Sequence, residues 1–470
     1  MTKGKPYVDI RGYHEGVTGS SIRNTVHFSD GGIFRFLVDY GMYQGEGHNG
    51  IEYNDSITPG KIGAVLLTHT HLDHDGALPI FVKEGYSGNI YMSEAAATVI
   101  DIGLEDSYNI MKRDAKIKKQ PILFSLSDVD LTKKQIKAVK FEEPIKIHNN
   151  ITVTFFNNGH LIGSSVILVQ IEDYNGSSIN LLYTGDYKPN NIFLDIKPFP
   201  EWVYALPNLT IITEATYGST NSEDIDYTWE NDIIEACSRD SLIFNCAFGQ
   251  GRAQELLYHI RRLQDLGEIP KDYPVKLDGT TAIDYTFRYL SHCNITKIKV
   301  DNKNFFPHNL QFVDNETRPA VLGTRERQII ISTSGMGSHG PAATYIPHYL
   351  SNPNALIYFP GYTSEGTLGR KVFEAEQGEE ILFKDGQTVV KNALVKQTSE
   401  FSSHAKADEL IEFINMFSPR SVLINHGEPS VKVIFEERVK KELDIKKTGI
   451  LGMGYVFRVD SYGIAKKVRK

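Results

Sequence analysis

"LLTHTHLDHDGALP", residues 66–79, places His69, His71, Asp73 and His74 within six positions, directly after an apolar run. Packing a hydrophobic core does not require such a cluster, because charged and polar side chains are rarely buried unless they are paired. Neutral imidazole nitrogen and carboxylate oxygen are ligands of zinc and neighbouring metals. At a strand end, His-x-His lets two imidazoles converge on one ion, while Asp73 and His74 face the other side and suit a second ion. The stretch predicts a metal-binding turn.

Similar runs recur along the chain, each apolar, β-branched or aromatic and each ending in a polar residue beside a glycine-marked turn. The runs are IFRFLVDYG (33–41), AVLLTHTH (64–71), ITVTFFNNGH (151–160), INLLYTGD (179–186), LTIITEATYG (209–218) and SVLINHGE (421–428). Helical patterns at 75–83 and 93–111 lie between the runs, which indicates a layered α/β sandwich. The strand ends deliver candidate ligands to one sheet edge: Asp39, His69, His160, Asp186, Glu214 and His426.

The pattern changes after Tyr217, where longer helices such as GQGRAQELLYHIRRLQDLG (249–267) alternate with strands. The earlier pattern, an apolar run that ends in a polar residue beside glycine, returns from about residue 390. We therefore expect a domain at 1–215 that resumes at 386–470, with a second α/β domain inserted at 216–385.

The composition excludes several classes of protein. Hydrophobic residues make up 41% of the 470, and no apolar stretch is long enough to cross a bilayer. The three cysteines show no CxxC spacing, so a disulfide framework or a thiolate zinc site is not expected. We expect a cytoplasmic protein with no membrane partner. The net charge of −8 argues against a broadly basic nucleic-acid surface, although it leaves a local basic cleft open.

The motifs VDYG, HTHLDH, GHLIGSS and TGD together resemble the metallo-β-lactamase superfamily. TEATYG, FGQGRAQELL, STSGMGSHGP, GYTSEGTLGR, FSSHA and NHGE are similar to its β-CASP branch of nucleases, and the match runs in order from about residue 10 to 430. The resemblance implies a four-layered αββα metallo-β-lactamase sandwich with an inserted α/β β-CASP domain. It also leaves a homodimer open, since such relatives often form dimers.

Carried onto this sequence, the resemblance implies two Zn²⁺ per chain. The expected ligands are His69, His71 and His160 on one ion, Asp73, His74 and His426 on the other, and Asp186 bridging both. Asp39 would orient the site from outside the ligand set and help to hold the nucleophilic water.

The same resemblance implies a zinc-dependent ribonuclease in which a two-metal-activated hydroxide cleaves RNA, leaving 5′-phosphate and 3′-hydroxyl ends. His404 is the expected proton donor to the leaving oxygen, and Glu214 would hold its far nitrogen. Asp39 and Asp73 complete the expected catalytic set. The candidates for contacts with the RNA backbone are Arg252, Ser334, Arg370 and Ser403.

Three alternatives stay open on the sequence. One is a DNA nuclease on the same scaffold, which paired RNA and DNA oligonucleotides would separate. Another is a hydrolase of small esters or lactones, which the inserted domain and the Glu214 and His404 pair disfavour. The third is a non-catalytic RNA-processing scaffold, which a metal content near zero would favour.

Overall fold

The structure is a computed structural model that describes residues 4–43, 52–296, 298–299 and 302–469. Its strands, numbered β1 to β25 in chain order, are Tyr7–Gly12, Ile22–His27, Ile33–Val38, Met42–Tyr43, Glu52–Tyr53, Ala64–Leu66, Asn89–Ser93, Ile136–Val139, Ile145–His148, Ile151–Asn157, Ser165–Glu172, Ser178–Tyr183, Leu209–Thr213, Leu242–Cys246, Val275–Asp278, Leu310–Val313, Gln328–Ser332, Ala355–Phe359, Glu380–Leu382, Thr388–Val390, Leu394–Gln397, Ser421–Ile424, Thr448–Ile450, Val456–Asp460 and Ala465–Arg469.

Its α-helices, numbered α1 to α16, are Leu72–Asp75, Leu78–Lys83, Glu94–Ala97, Ile100–Lys118, Leu126–Gln135, Glu201–Tyr204, Trp229–Ser238, Arg252–Leu266, Thr280–Ser291, Cys293–Thr296, Asn302–Phe305, Arg318–Gly323, Ala342–Leu350, Leu368–Glu374, Ala407–Phe417 and Pro429–Leu443. Short 3₁₀ helices occur at Pro59–Lys61 and Ser222–Asp224. In the part of the chain that the structure describes, no helix is both long enough and apolar enough to cross a membrane.

The chain forms two compact units. Unit 1 comprises Met1–Asp224 and Ser403–Lys470, and unit 2 comprises Ile225–Ser402. These limits differ from those expected from the sequence, 215 and 385. The return to unit 1 comes later because β21 pairs in parallel with β18, which keeps the chain in unit 2 beyond residue 385.

Unit 1 contains two large sheets. The eight-stranded sheet has the order β25-β24-β1-β2-β3-β6-β7-β8, and the seven-stranded sheet has the order β23-β22-β13-β12-β11-β10-β9. In the first sheet β3, β6, β7 and β8 are parallel, and in the second β12, β13, β22 and β23 are parallel. Because parallel strands end at the same edge, each sheet collects several strand ends on one side.

The two sheets of unit 1 pack face to face between layers of helices. Alternate residues of both sheets, among them Val8, Phe36, Phe155 and Ile167, form one buried core. The opposite face of the eight-stranded sheet packs on α2, α4 and α5, and the opposite face of the seven-stranded sheet packs on α15 and α16. The four-layered αββα sandwich is therefore confirmed.

Unit 2 is built around a six-stranded parallel sheet with the order β16-β15-β17-β14-β18-β21. Phe244 of β14 packs on Tyr345 of α13, with 5.2 Å between ring centroids. On the other face of the same strand, Asn245 accepts a hydrogen bond of 3.0 Å from the Trp229 indole of α7. Helices therefore cover both faces, which is the α/β architecture expected of the inserted domain.

Helix boundaries follow local chemistry. Helix α8 begins after Gly251 and ends at Leu266. The next residue, Gly267, has a φ of 77°, the left-handed conformation that glycine adopts without strain. The helical pattern at 75–83 is split into α1 and α2 around Gly76, with Pro79 in the first turn of α2, where no amide donor is needed.

Candidate metal centre

The candidate site residues of unit 1 lie directly after strand ends. Asp39 follows β3, and the HTHLDH segment follows β6 in the neighbouring position of the same sheet. On the facing sheet, strands β10, β12, β13 and β22 run in one direction, and the next residues after their ends include His160, Asp186, Glu214 and His426, respectively. The fold therefore brings residues that are up to several hundred positions apart to one edge of the sandwich.

A first group of side chains comprises His69, His71, His160 and Asp186, whose nitrogen and oxygen atoms lie within 4.8 Å of one another. Nε2 of His160 is 3.2 Å from Nδ1 of His71. Oδ2 of Asp186 is 3.5 Å from Nε2 of His69 and 3.8 Å from Nε2 of His160. Three imidazoles and a carboxylate thus converge on one point.

A second group comprises Asp73, His74 and His426, again within 4.8 Å. Oδ2 of Asp73 is 3.6 Å from Nε2 of His74 and 3.4 Å from Nε2 of His426. Asp186 reaches this group as well, since its Oδ2 is 3.4 Å from Nε2 of His74 and its Oδ1 is 3.4 Å from Nδ1 of His426. Asp186 therefore contacts both groups.

The loops that carry these groups approach each other closely at Gly41. A Cβ at this position would lie 1.7 Å from the carbonyl oxygen of Asp73, and no side chain can occupy that distance. Backbone hydrogen bonds hold this approach, because Tyr40 donates to the His74 carbonyl, Gly41 donates to the Ser20 carbonyl and Ser20 donates to the Asp73 carbonyl. The glycine of VDYG is thus required by the packing of two loops around the second group.

Further residues hold the imidazoles in place. Asp39 accepts from Nδ1 of His74 at 2.8 Å, and from the amide of Thr68 at 2.8 Å. Its φ of 62° is left-handed, a conformation that aspartate tolerates better than most residues. Nδ1 of His160 donates to the carbonyl of Ser403 at 2.8 Å. These contacts set which ring nitrogen faces the cluster.

Two threonines that the sequence reasoning missed have the same role. The hydroxyl of Thr68 is 3.0 Å from Nδ1 of His69, and the hydroxyl of Thr216 is 3.1 Å from Nδ1 of His426. Their only sequence signal is position, since one directly precedes the HTHLDH segment and the other lies in TEATYG.

The electrostatics of the cluster favour metal ligation. Burial and neighbouring imidazoles lower the pKa of His69 and His160 well below the usual value, and the pKa of His71 falls to about 4. Burial alone would raise the pKa of Asp186, but the surrounding histidines outweigh it and lower that pKa. Neutral imidazoles and an ionised carboxylate are the protonation states that bind a cation.

Three carboxylates around His74 favour positive charge at this point of the cluster. Burial opposes its protonation, yet Asp186, Asp73 and Asp39 together raise its pKa well above 6.5. A divalent cation between these carboxylates would supply the same charge. In keeping with this, Nε2 of His69, Nε2 of His74 and Oδ1 of Asp186 are buried and have no hydrogen-bond partner among the described residues. The donor set therefore fits a metal.

A small cavity of about 20 Å³ lies beside the second group, lined among others by Asp39, Thr68, Asp186 and Glu214. This volume is enough for about one water molecule, and its lining is polar enough to bind one. Asp39 thus both orients the His74 imidazole and lines this cavity.

His404 and Glu214 form a pair next to Asp186. Nδ1 of His404 is 2.9 Å from Oε2 of Glu214 and 4.0 Å from Oδ2 of Asp186. The Glu214 side chain is buried, and its other oxygen accepts from the amide of Tyr187. Burial opposes protonation of His404, but the Glu214 and Asp186 carboxylates outweigh it and raise its pKa. This shift favours the charged form of the imidazole.

The four candidates for backbone contacts are placed differently. Ser403 lies in unit 1, beside His404, and its carbonyl binds His160. In unit 2, Arg252 is buried, donates to the Phe401 carbonyl and lies 3.5 Å from Glu255. The hydroxyl of Ser334 donates to the His339 carbonyl at 3.2 Å, and Arg370 donates to Glu374 at 2.7 Å. These three side chains therefore have partners within their own unit.

Comparison with known proteins identifies three domains in the chain. A metallo-beta-lactamase superfamily domain matches residues 28–190, a Beta-Casp domain matches 253–372, and a Zn-dependent metallo-hydrolase RNA specificity domain matches 388–448. The ribonuclease TTHA0252 of Thermus thermophilus is 30% identical over 423 residues, which is 88% of this chain and 91% of that protein.

Two further relatives differ in length from each other. An RNase J-like protein of Methanocaldococcus jannaschii is 28% identical over 87% of this chain and 91% of its own length. The transcription termination factor FttA of Methanosarcina mazei is 28% identical over 89% of this chain. The chain spans 67% of that factor and 61% of its Methanocaldococcus jannaschii counterpart.

Proposed function

The chain belongs to the β-CASP branch of the metallo-β-lactamase superfamily, and on that premise we propose that it is a metal-dependent ribonuclease that hydrolyses phosphodiester bonds. The observation that carries the proposal is the position of Asp186, whose carboxylate oxygens lie 3.4 to 3.8 Å from histidines of both ligand groups. A carboxylate shared in this way suits a pair of adjacent cations.

The donors are those that zinc prefers, so we propose two Zn²⁺ per chain. His69, His71 and His160 would hold one, Asp73, His74 and His426 the other, and Asp186 both. When bound, such ions lower the pKa of water from ~15.7 toward ~7 and neutralise charge on a phosphate oxygen. Asp39 fixes the ring of His74, so that Nε2 faces the cluster.

His404 is the proposed general acid. Because Nδ1 is bound to Glu214, that nitrogen carries a proton, and Nε2 of the charged ring carries the one that can be given away. As water attacks phosphorus and the bond to the 3′ oxygen breaks, this proton passes to the leaving oxygen. The products are a 3′-hydroxyl and a 5′-phosphate. Before the proton is transferred, the Glu214 carboxylate stabilises the positive charge of the His404 ring.

The choice of RNA is supported by the ribonuclease and RNase J-like relatives and by the match of residues 388–448 to an RNA specificity domain. Because the chain spans only part of the FttA factors, we propose the nuclease chemistry and not their role in termination. The cytoplasmic location stays a prediction, and light scattering tests the homodimer against a single chain of 52.8 kDa.

End-labelled RNA and the matching DNA test the proposal directly. The wild type should cleave the RNA into fragments with 5′-phosphate and 3′-hydroxyl ends and should leave the DNA intact. Asp73→Ala should lose metal and activity together, whereas His404→Ala should keep its metal and cleave ~10² to 10⁴ times more slowly.

The control is His308→Ala, since His308 pairs with Asp265 on the surface of unit 2 and belongs to neither ligand group. This variant should cleave at the wild-type rate. Metal-loaded wild type that cleaves DNA as fast as RNA, or neither of them, would contradict the proposal.

A further inference from the structure

A cationic groove of about 790 Å³ lies on the eight-stranded sheet of unit 1, away from the inter-sheet core. In the described part of the chain, its charged lining consists of four arginines, one lysine and one carboxylate: Arg11, Arg23, Arg35, Arg458, Lys61 and Asp9. Within β1, Val8 and Ile10 face the inter-sheet core, so the alternate residues Asp9 and Arg11 face outward. We call this site the outer groove.

Strand register places three of the arginines together. Arg11 is directly opposite Arg23 in the β1 and β2 pair, and Arg35 is opposite Thr25, two residues further along β2. Like charges directly opposite each other in a sheet are destabilising, and diagonal neighbours are still within reach of long side chains. The fold therefore holds a row of positive charge that an anion would stabilise.

Among the described residues that line the groove, the one carboxylate does not neutralise this row. Asp9 is already bound by Arg458 in a two-pronged contact, with distances of 2.8 and 3.0 Å. In the described part of the chain, nothing accepts a hydrogen bond from the buried Nε of Arg11 or of Arg23. Both guanidinium groups instead stack on the ring of Tyr13, at 4.7 and 5.4 Å from its centroid.

The charge of the outer groove contrasts with that of the whole chain, which has a net charge of −8. Burial lowers the pKa of Arg23, and the positive charges of Arg11 and Arg35 lower it further, although the contact with Tyr13 opposes this. The arginines of the row therefore repel one another. A guanidinium group can bind a phosphate with two parallel hydrogen bonds. A row of guanidinium groups therefore fits the successive phosphates of a chain better than it fits one isolated anion. A phosphodiester chain is therefore the ligand that the groove suits.

One end of the outer groove lies close to the metal centre along strand β2. Ile22, next to Arg23 in β2, lines the small cavity that Asp39 and His74 share. Because Ile22 and Arg23 point to opposite faces of the sheet, the groove is separate from the ligand cluster, yet its end lies at the same sheet edge. A strand of RNA that leaves this edge can follow the row of arginines.

We propose that the outer groove binds the sugar-phosphate backbone of the RNA substrate beyond the scissile bond. The proposal rests on the proposed ribonuclease function for the identity of the polymer. It assigns the groove a role in affinity, with no part in bond cleavage.

Binding can be measured apart from cleavage, by fluorescence anisotropy of a labelled single-stranded RNA of 20 nucleotides with metal-loaded protein that carries His404→Ala, which cleaves slowly and is the parent of every variant in this assay. The variant Arg23→Gln/Arg35→Gln removes two cations from the row. Each lost phosphate contact on a single strand lowers the slope of log K against log salt by ~0.7, so the slope should fall by ~1.4. The dissociation constant at low salt should rise about tenfold.

The matched control is Lys137→Gln/Lys140→Gln, which removes the same charge from the opposite edge of the same sheet, where both side chains are exposed. Its affinity and salt slope should equal those of the parent. Lys61→Gln is the second groove variant, because its exposed position in a 3₁₀ helix makes misfolding no concern, and its slope should fall by ~0.7.

Melting temperatures separate binding from a structural role. Relief of repulsion should leave the double groove variant as stable as the wild type or more so. A lower melting temperature with unchanged RNA affinity would overturn the proposal. The proposal would also be overturned if the lysine control weakened RNA binding as much as the groove variant does. Displacement of the RNA by pyrophosphate or polyglutamate at equal concentrations of charge would overturn it as well.

Failure of the ribonuclease function gives a different result. If the metal-loaded wild type cleaves no RNA, the proposed function fails, while the anisotropy measurement still reports on the groove. If cleavage occurs and the double variant shows a raised KM with unchanged kcat, both proposals stand. Cleavage with unchanged KM and unchanged RNA affinity overturns the groove alone.

Discussion

Glu214→Gln tests how His404 is kept charged. Glutamine keeps an oxygen within 2.9 Å of Nδ1 but removes the buried negative charge. An opposite charge at this distance shifts a pKa by ~1 to 3 units, so the pKa of His404 should fall by that amount in the variant. In the wild type, burial opposes the charged form and the carboxylates outweigh it, which keeps the proton on the ring to higher pH.

The measurement is kcat against pH with metal-loaded enzyme and saturating RNA. Activity that depends on the protonated ring is present below its pKa and is lost as pH rises through it. The alkaline limb should therefore move to lower pH by ~1 to 3 units, and kcat at pH 8 should fall about 10- to 1,000-fold with metal content unchanged.

A suitable control is Glu412→Gln, an exposed carboxylate on α15, which follows His404 in the chain. Its pH profile should match the wild type. If the Glu214→Gln profile also coincides with the wild type while both ions are bound, Glu214 does not hold the proton on His404 and the reasoning is wrong.

Three further predictions concern metal affinity, loop packing and stability. Asp39→Asn removes the charge that holds a ligand imidazole at 2.8 Å, so metal affinity should fall ~10- to 100-fold in a chelator competition. Gly41→Ala places a methyl group 1.7 Å from the Asp73 carbonyl oxygen. Calorimetry should therefore show a lower melting temperature, and elemental analysis should show less bound metal. The control Gly60→Ala, which has open space around its Cβ, should change neither. Burial raises the pKa of Glu400 to about 7, above the unfolded value of 4.5, so stability is lost as pH rises through this window. Glu400→Gln should melt at the same temperature as the wild type near pH 4.5 and ~2 to 4 °C higher at pH 8. This shift corresponds to a gain in unfolding free energy on the order of 1 kcal/mol after solvent screening. An equal gain in melting temperature at both pH values would contradict this prediction.

Much of the fold was predictable because its signals are local. A β-branched run that ends beside glycine marks a strand end, and His69, His160 and Asp186 all stand at such ends. Parallel strands end at one edge, so the convergence of these residues follows from the sheet topology. The αββα layers were implied by the family motifs and are confirmed by the packing of the two sheets.

Other features depend on contacts between distant segments. The bond between His160 and the Ser403 carbonyl joins residues that are 243 positions apart, and a carbonyl leaves no signal in side-chain identity. Arg252 follows glycine at a helix start, which suggested a phosphate site, yet its guanidinium is buried against the Phe401 carbonyl. The unit boundary lies beyond residue 385 because β21 pairs with β18, and pairing of that kind cannot be inferred from composition.

The outer groove was hidden for the same reason. Arg11, Arg23 and Arg35 are spaced by about a dozen residues, and the sequence shows no basic run there. Only the register of β1, β2 and β3 brings them together. A basic surface on an acidic protein is thus a property of strand pairing that net charge conceals.

The proposed metal centre contains two ions that share Asp186. Anomalous diffraction at the zinc edge, from crystals grown with zinc, tests it directly. We expect two peaks ~3.5 to 4 Å apart, one beside His69, His71 and His160 and the other beside Asp73, His74 and His426, with Asp186 between them. A single peak, or two peaks that do not share Asp186, would contradict it.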